Sequence, residues 1–261
     1  MKLIDCLGGM ESMPQVTYSF PGMNFVVTGA ASGIGKKISE ELLTAGASVL
    51  GIDKNPEPLN QLAAMNPNFV PAAVDVRDTD GVKKFVDGYA AARGKINGAV
   101  HSAGIMIASP LTSYDEVQAR EIMDISFWAG IRLIRTTHRK KVVAQKASSV
   151  LISSIAAYSG DKSNFAYSGT KAAIQTAVRS IAKEVISVGA RINSVSPGWV
   201  RTSMTKENLE SNLIPKRLLE RSFLGIGETE DVSGIVLFLL SERARWITGQ
   251  DFVVDGGYLI G

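Results

Sequence analysis

Tyr167 and Lys171 stand four residues apart in the run Ala166-Tyr167-Ser168-Gly169-Thr170-Lys171, and two serines, Ser153 and Ser154, lie upstream. Ala172, Ala173, Ile174, Ala177 and Ile181 carry an apolar helical pattern onward from the lysine. Residues four apart on a helix share a face, so the phenol and the ammonium point into one space. An ammonium about 5 Å from a phenol, at an effective dielectric near ~20, favours the phenolate by roughly 3 kcal/mol. That is about two pKa units, enough to bring a tyrosine from about 10 toward neutral pH. A phenol tuned in this way exchanges a proton with an alcohol or carbonyl oxygen. Tyr-x-x-x-Lys also arises by chance, so its meaning depends on what surrounds it.

A second constellation lies near the start of the chain. Phe25 to Thr28 reads as a short buried strand, Gly29-Ala30-Ala31-Ser32-Gly33-Ile34-Gly35 as a turn, and Lys36 to Thr44 as a helix that Gly46 closes. Glycines at 29, 33 and 35 allow a tight turn and close backbone approach, and the helix N-terminus offers unpaired N–H groups to a pyrophosphate. Ala47 to Ile52 reads as the next strand and ends in Asp53. A carboxylate there accepts hydrogen bonds from both ribose hydroxyls of a dinucleotide and repels a 2′-phosphate. NAD is therefore favoured, and NADP stays open because Lys36 and Lys54 lie close in sequence.

The elements that must position these groups alternate regularly. Strand-like runs at Phe69–Val74, Gly98–Val100, Val150–Ile152, Arg191–Val195 and Phe252–Val254 are separated by helical patterns at Asp80–Arg93, Glu116 to about Ala144, Phe165–Val188 and Glu230–Leu240. Short apolar strands alternating with amphipathic helices indicate a parallel sheet covered on both faces. No gap leaves room for another domain to begin, so one doubly wound α/β domain is expected over residues 21–261, with 1–20 as an extension that the core does not need. Asp75 ends the third strand, either as a cap or beside the adenine.

Composition narrows the classes. The 261 residues are 45% hydrophobic with a net charge of +3, enough for a large core and only mildly basic, which gives no case for nucleic acid. No 18-residue apolar run suggests a membrane span, and Asp5 breaks the first apolar run in a way unlike a signal peptide. The single cysteine, Cys6, fits a reducing cytoplasm and leaves neither an internal disulfide nor a zinc site to expect. The densest basic run, Arg132, Arg135, His138, Arg139, Lys140 and Lys141, reads as a solvated helix face. There is no internal repeat and no low-complexity linker.

Taken together, Thr28-Gly29-x-x-x-Gly33-Ile34-Gly35, Ser154, Tyr167-x-x-x-Lys171, Pro197-Gly198 and Thr248-Gly249-Gln250 through Asp255-Gly256-Gly257 resemble the short-chain dehydrogenase/reductase family, in that family's order and spacing. The resemblance implies a Rossmann-type fold and an NAD(P)-dependent oxidoreductase that interconverts a secondary alcohol and a ketone, as a homotetramer or dimer. It implies Tyr167 as acid/base, Ser154 as the donor to the substrate oxygen, and Lys171 as the group that binds the ribose and lowers the tyrosine pKa. Ser153 would be a neighbour. Cofactor contacts are implied at Gly29, Ser32, Gly33, Ile34 and Gly35, at Asp53, Asp75 and Val76, and at Ala103 and Gly104. They continue at Tyr167 and Lys171 and at Pro197, Gly198, Val200 and Thr202, the last two beside the nicotinamide carboxamide. No metal is expected.

Two positions depart from the family. His101-Ser102-Ala103-Gly104 stands where Asn-Asn-Ala-Gly is usual, and His101 reads as a structural or cofactor-wall residue sooner than a catalytic base. Ser126, beside Phe127 and Trp128, falls where the family places an asparagine that holds a relay water. A serine has one donor instead of two, so Ser126 either serves a rebuilt relay or bonds back along its own helix. Residues 203–227 correspond to the segment that covers the substrate, with Met204, Leu209, Leu213, Ile214, Leu218, Leu219 and Phe223 as an apolar lining or as packing on their own domain. Two other activities remain open. One is a 3-oxoacyl-carrier-protein reductase whose acidic carrier uses the Arg132–Lys141 face or Lys183. The other is a catalytically weakened cofactor-binding regulatory protein.

Overall fold

A computed structural model of the chain describes residues 16–210 and 220–261. Seven strands among them, β1 (Asn24–Thr28), β2 (Ser48–Asp53), β3 (Phe69–Ala73), β4 (Ile96–His101), β5 (Val143–Ile152), β6 (Arg191–Pro197) and β7 (Asp251–Val254), form one parallel sheet in the order 3-2-1-4-5-6-7. The strand order reverses between β1 and β4, where loops leaving the carboxyl ends of neighbouring strands part to opposite sides and open a crevice.

The central strands are apolar on both faces because helices cover both. In β1, Phe25 and Val27 join one cluster, with Val49, Val100, Val150 and Val195. Val26 joins the other, with Leu50, Ala99, Leu151 and Ile192. Helix α1 (Gly33–Thr44) follows β1, α2 (Pro56–Met65) follows β2, and α3 (Thr79–Arg93) follows β3. After β4 come α4 (Glu116–Met123), a π-turn (Asp124–Trp128) and α5 (Ala129–Thr137). The short α6 (Ala156–Ser159) and the long α7 (Phe165–Val185) follow β5; α8 (Ser203–Glu210) and α9 (Thr229–Leu240) follow β6. Helices α1 and α9 supply the first cluster through Ile38, Leu42, Val232 and Val236, and α3, α5 and α7 the second through Val86, Leu133 and Val178.

Three expectations are corrected. The helix read from Glu116 to about Ala144 is broken at the π-turn and ends at Thr137; Val142 and Val143 donate their N–H groups to the Arg139 carbonyl, and β5 starts at Val143. The basic run therefore does not form one solvated face. Arg132 pairs with Asp124, Arg139 with Asp87, and His138 turns inward, where burial lowers its pKa. The extension is also shorter at its inner end than residue 20. Phe20 is 2% exposed within the core, and the Tyr18 hydroxyl donates to the Gly234 carbonyl at 3.0 Å. Helix α2 had no counterpart in the sequence reading. Asn55 caps it by accepting from Glu57 N–H, and Pro56 stands in its first turn, where a missing N–H costs nothing.

Candidate active site

The crevice at the strand reversal is a cleft of about 300 Å³, and its walls come from the carboxyl ends of β1, β2, β4, β5 and β6. On one side lie Gly29, Ser32, Gly33 and Ile34 of the first turn, then Asp53, Asp75 and Val76. Gly35 lies beneath this wall. A Cβ on it would fall 2.3 Å from the Gly29 carbonyl oxygen, so only glycine lets α1 start this close to β1. Gly29 itself has a φ of +69°, and a Cβ there would meet the backbone nitrogen of Ala103 at 2.9 Å. The turn thus closes tightly against the loop after β4. Thr28 ties the two together, since its hydroxyl oxygen accepts from the N–H groups of Ser102 and Ala103, each at 3.3 Å.

Asp53 is held by backbone donors on both oxygens, Ala31 N–H at 3.2 Å and Asn55 N–H at 3.0 Å. Each carboxylate oxygen has a further lone pair for a ligand hydroxyl. Lys54 lines the same wall, whereas Lys36 is directed toward Glu40 at 3.8 Å and does not reach the cleft. Asp75 caps the turn after β3 and also borders the cleft. It accepts from the Arg77 guanidinium and backbone, which hold its carboxyl below the usual range.

The chemistry-bearing residues lie deeper, between β5 and α7. Ser154 follows β5, and its hydroxyl accepts from Ala156 N–H at 3.1 Å. Tyr167, in the first turn of α7, and Lys171, one turn on, both face the cleft with Ser153, Ser154 and Ile152. Lys171 is fixed at both ends by the strand tip: Nζ donates to the Ile152 carbonyl at 2.8 Å, and its own carbonyl accepts from the Ser153 hydroxyl at 2.8 Å. Ser153 is thus a support of the lysine, a role the sequence spacing alone did not suggest.

The electrostatics correct one expectation. Burial pushes the Lys171 pKa down to about 8. Burial also pushes the Tyr167 phenol up, and only the Ser154 hydroxyl acts in the other direction. The lysine, 5.4 Å from the ring centroid, does not bring the phenol toward neutrality here, because desolvation outweighs attraction at this distance. Tyr167 is therefore a protonated donor at neutral pH beside a lysine that still carries charge.

Ser126 is fully buried in the π-turn, and its hydroxyl has no hydrogen-bond partner among the described residues. It faces Gly104, against which Lys171 Nζ also rests: a Cβ at that glycine would lie 3.2 Å from the serine oxygen and 3.7 Å from the ammonium. The back-bond along its own helix does not form. His101 is 1% exposed, does not line the cleft and is engaged through both ring nitrogens, which fits the structural reading and not a base.

Ala103 and Gly104 line the cleft after β4; Pro197, the last residue of β6, and Gly198, Val200 and Thr202 beyond it line the other side. Gly198 is needed where the C-terminal loop crosses, since a Cβ there would sit 2.7 Å from Asp255 Cα. Met204 borders the cleft at the start of α8, while Phe223 is 59% exposed and does not. Leu213, Ile214, Leu218 and Leu219 lie outside the described residues, as do residues 1–15. Ser102, Ile105 and Ile125 also line the cleft and were not singled out in the sequence; their only signal is adjacency to the Ala103-Gly104 loop and to Ser126.

Among the described residues no cluster of His, Cys, Asp or Glu fits a metal ion, and no helix is long and apolar enough to cross a membrane. A family model described as enoyl-(acyl carrier protein) reductase matches residues 29–259. A tropinone reductase homolog of Arabidopsis thaliana is 31% identical, covering 93% of this chain and 94% of its own. A 3-oxoacyl-acyl-carrier-protein reductase of Thermotoga maritima is 30% identical over 90% of this chain and 97% of its own. Among solved structures, a short-chain type dehydrogenase/reductase from Mycobacterium ulcerans superposes with a TM-score of 0.85 at 32% identity, covering 93% of this chain and 91% of that one.

Proposed function

The chain belongs to the short-chain dehydrogenase/reductase family of oxidoreductases, and on that premise we propose that it interconverts a secondary alcohol and a ketone with NAD. The single observation that carries this reading is the convergence of Ser154, Tyr167 and Lys171 on the same cleft as the glycine turn and Asp53.

The cleft fits a dinucleotide. The Gly29–Gly35 turn brings its backbone close against β1 and the Ala103 loop, where Gly29 and Gly35 leave no room for side chains, and it opens onto the N-terminus of α1, which favours a pyrophosphate. Asp53 and Lys171 would hold the two riboses, Asp75 and Val76 would border the adenine, and Val200 and Thr202 would meet the carboxamide. NAD, when bound, supplies the site that accepts or gives the hydride. The protein's own contribution is position and one proton. The Ser154 hydroxyl donates to the substrate oxygen, and Tyr167 gives its phenolic proton to that oxygen in reduction or takes it in oxidation. Lys171, charged below about pH 8, stabilises the phenolate that forms. Ser126, buried and unpaired beside Lys171, would hold the water that returns the proton.

The preference for NAD rests on Asp53, with Lys54 next to it at the cleft wall to offset it in part. The carrier-protein alternative draws on the relatives that bear that name, but its basic docking face is weakened by the pairing of Arg132 and Arg139. We also propose a cytoplasmic homo-oligomer, a tetramer or dimer; Trp246, 97% exposed, and Val253 on the edge strand β7 are apolar groups such an assembly would cover. Screening secondary alcohols with NAD, following absorbance of the reduced cofactor, tests the reading. Turnover of at least one supports it; tight NAD binding without turnover on any would favour the regulatory alternative.

A further inference from the structure

His101 ends β4 directly beside Thr28 at the end of β1, and its ring is buried between the sheet and the π-turn. Its hydrogen bonds fix its tautomer. The Thr28 oxygen accepts from Ser102 and Ala103 N–H, so its own proton goes to His101 Nδ1 at 2.8 Å. Nε2 then carries the ring proton and donates to the Ile125 carbonyl at 3.1 Å. Burial, and next the Lys171 charge, lower the His101 pKa to about 4, so the ring stays neutral near pH 7 and this arrangement persists.

The carbonyl it reaches is one the π-turn leaves short. Ala129 N–H, which would bond Ile125 in a continuous α-helix, donates to the Asp124 carbonyl instead. Gly130 makes room for the ring, since a Cβ there would lie 2.8 Å from His101 Cδ2. The residue after Ile125 is Ser126, whose hydroxyl faces Gly104 together with Lys171 Nζ. An apolar residue at 101 would leave both the Thr28 proton and the Ile125 carbonyl unpaired in the core, which is costly.

We propose that His101 is a positioning residue: it splints the π-turn to the tips of β1 and β4 and so sets where Ser126 stands relative to Lys171. The link to turnover rests on the function proposed above; the splint itself does not.

Two substitutions separate the two ring nitrogens. His101→Asn places its amide near the position of Nδ1 and cannot reach Ile125, whereas His101→Gln extends an N–H toward Ile125. Amide hydrogen exchange over residues 124–130, with 29–35 as an internal control, should speed up about fivefold to tenfold in His101→Asn and stay near wild type in His101→Gln, since one local hydrogen bond is lost only in the first. With an alcohol found by the screen, kcat should fall about tenfold in His101→Asn with the KM for NAD unchanged. It should stay within about twofold of wild type in His101→Gln if the Ile125 contact is what matters. Should His101→Asn not fold, Gly130→Ala pushes the ring from the opposite side and should give the same exchange pattern. Equal exchange at 124–130 in wild type and variants overturns the splint. A changed exchange with equal kcat overturns its role in positioning Ser126. A wild type without turnover on any alcohol would count against the proposed activity alone, and the exchange contrast would still decide the splint.

Discussion

The Lys171 ammonium donates a hydrogen bond at 2.8 Å to the carbonyl of Ile152, the last residue of β5, and meets Tyr167 only across the ring at 5.4 Å from its centroid. The lysine is therefore a buried cation tied to the strand tip, with a pKa lowered by desolvation to about 8. Its protonation is what the folded protein must sustain at neutral pH.

This has a stability consequence with a definite sign. The folded pKa lies below the ordinary lysine value of 10.5, so between about pH 8 and 10.5 the unfolded chain binds more protons. Stability should then rise with pH across that window and be reduced by a constant amount below it. The shift corresponds to about 3 kcal/mol at neutral pH. Lys171→Met removes this cost but leaves the Ile152 carbonyl unpaired, which offsets part of it by about 1–3 kcal/mol. In urea unfolding, the stability of Lys171→Met relative to wild type should be greatest at pH 7 and should decline by pH 10. A difference that does not change with pH would contradict a buried, protonated Lys171. The same titration should reduce wild-type ketone reduction above about pH 8, as the charge that stabilises the phenolate is lost.

Asp53→Ala should raise the use of NADP relative to NAD. The substitution removes an acceptor for the ribose hydroxyls and the repulsion of a 2′-phosphate, and Lys54 stays at the wall to attract that group. The ratio of kcat/KM for the two cofactors should move toward NADP by about tenfold or more, the effect of losing one charged hydrogen bond. A wild type that already prefers NADP would contradict the assignment.

Ser126→Ala should lower kcat and leave the KM for NAD nearly unchanged, because a relay serves proton transfer and not binding. Ser126→Asn should give equal or higher activity by restoring a second donor. Rates of both variants from about pH 6 to 10 check this; superimposable profiles for wild type and Ser126→Ala would remove Ser126 from the mechanism. The unpaired, buried hydroxyl gives this expectation more weight than the sequence could, since the competing bond back along the helix is not made.

What the sequence disclosed followed from local rules. Strands β1 and β2 are short, largely apolar runs stopped at Gly29 and Asp53, β6 stops at Pro197-Gly198, and the glycine turn is legible because its spacing has a steric reason visible at Gly29 and Gly35. The helix from Glu116 was misread because its apolar period runs through Asp124–Trp128 without a Gly or Pro; the π-turn is accompanied by the contact of Ile125 with His101, a residue 24 positions away. Helix α2 is short, and Asn55 and Pro56 are the local marks of its start. The charge four residues along the helix does not set the Tyr167 pKa, because folding removes the water that would stabilise the phenolate. Ser126 and Lys171 meet at Gly104, three segments of chain that no spacing rule brings together.

The most direct test of the account is Tyr167→Phe, assayed with the alcohol or ketone that the wild type turns over and titrated with NADH. Only the phenolic hydroxyl is removed, so kcat should fall by about 10²–10⁴-fold with the dissociation constant for NADH nearly unchanged. A variant that keeps more than about a tenth of wild-type kcat would contradict Tyr167 as the group that moves the proton.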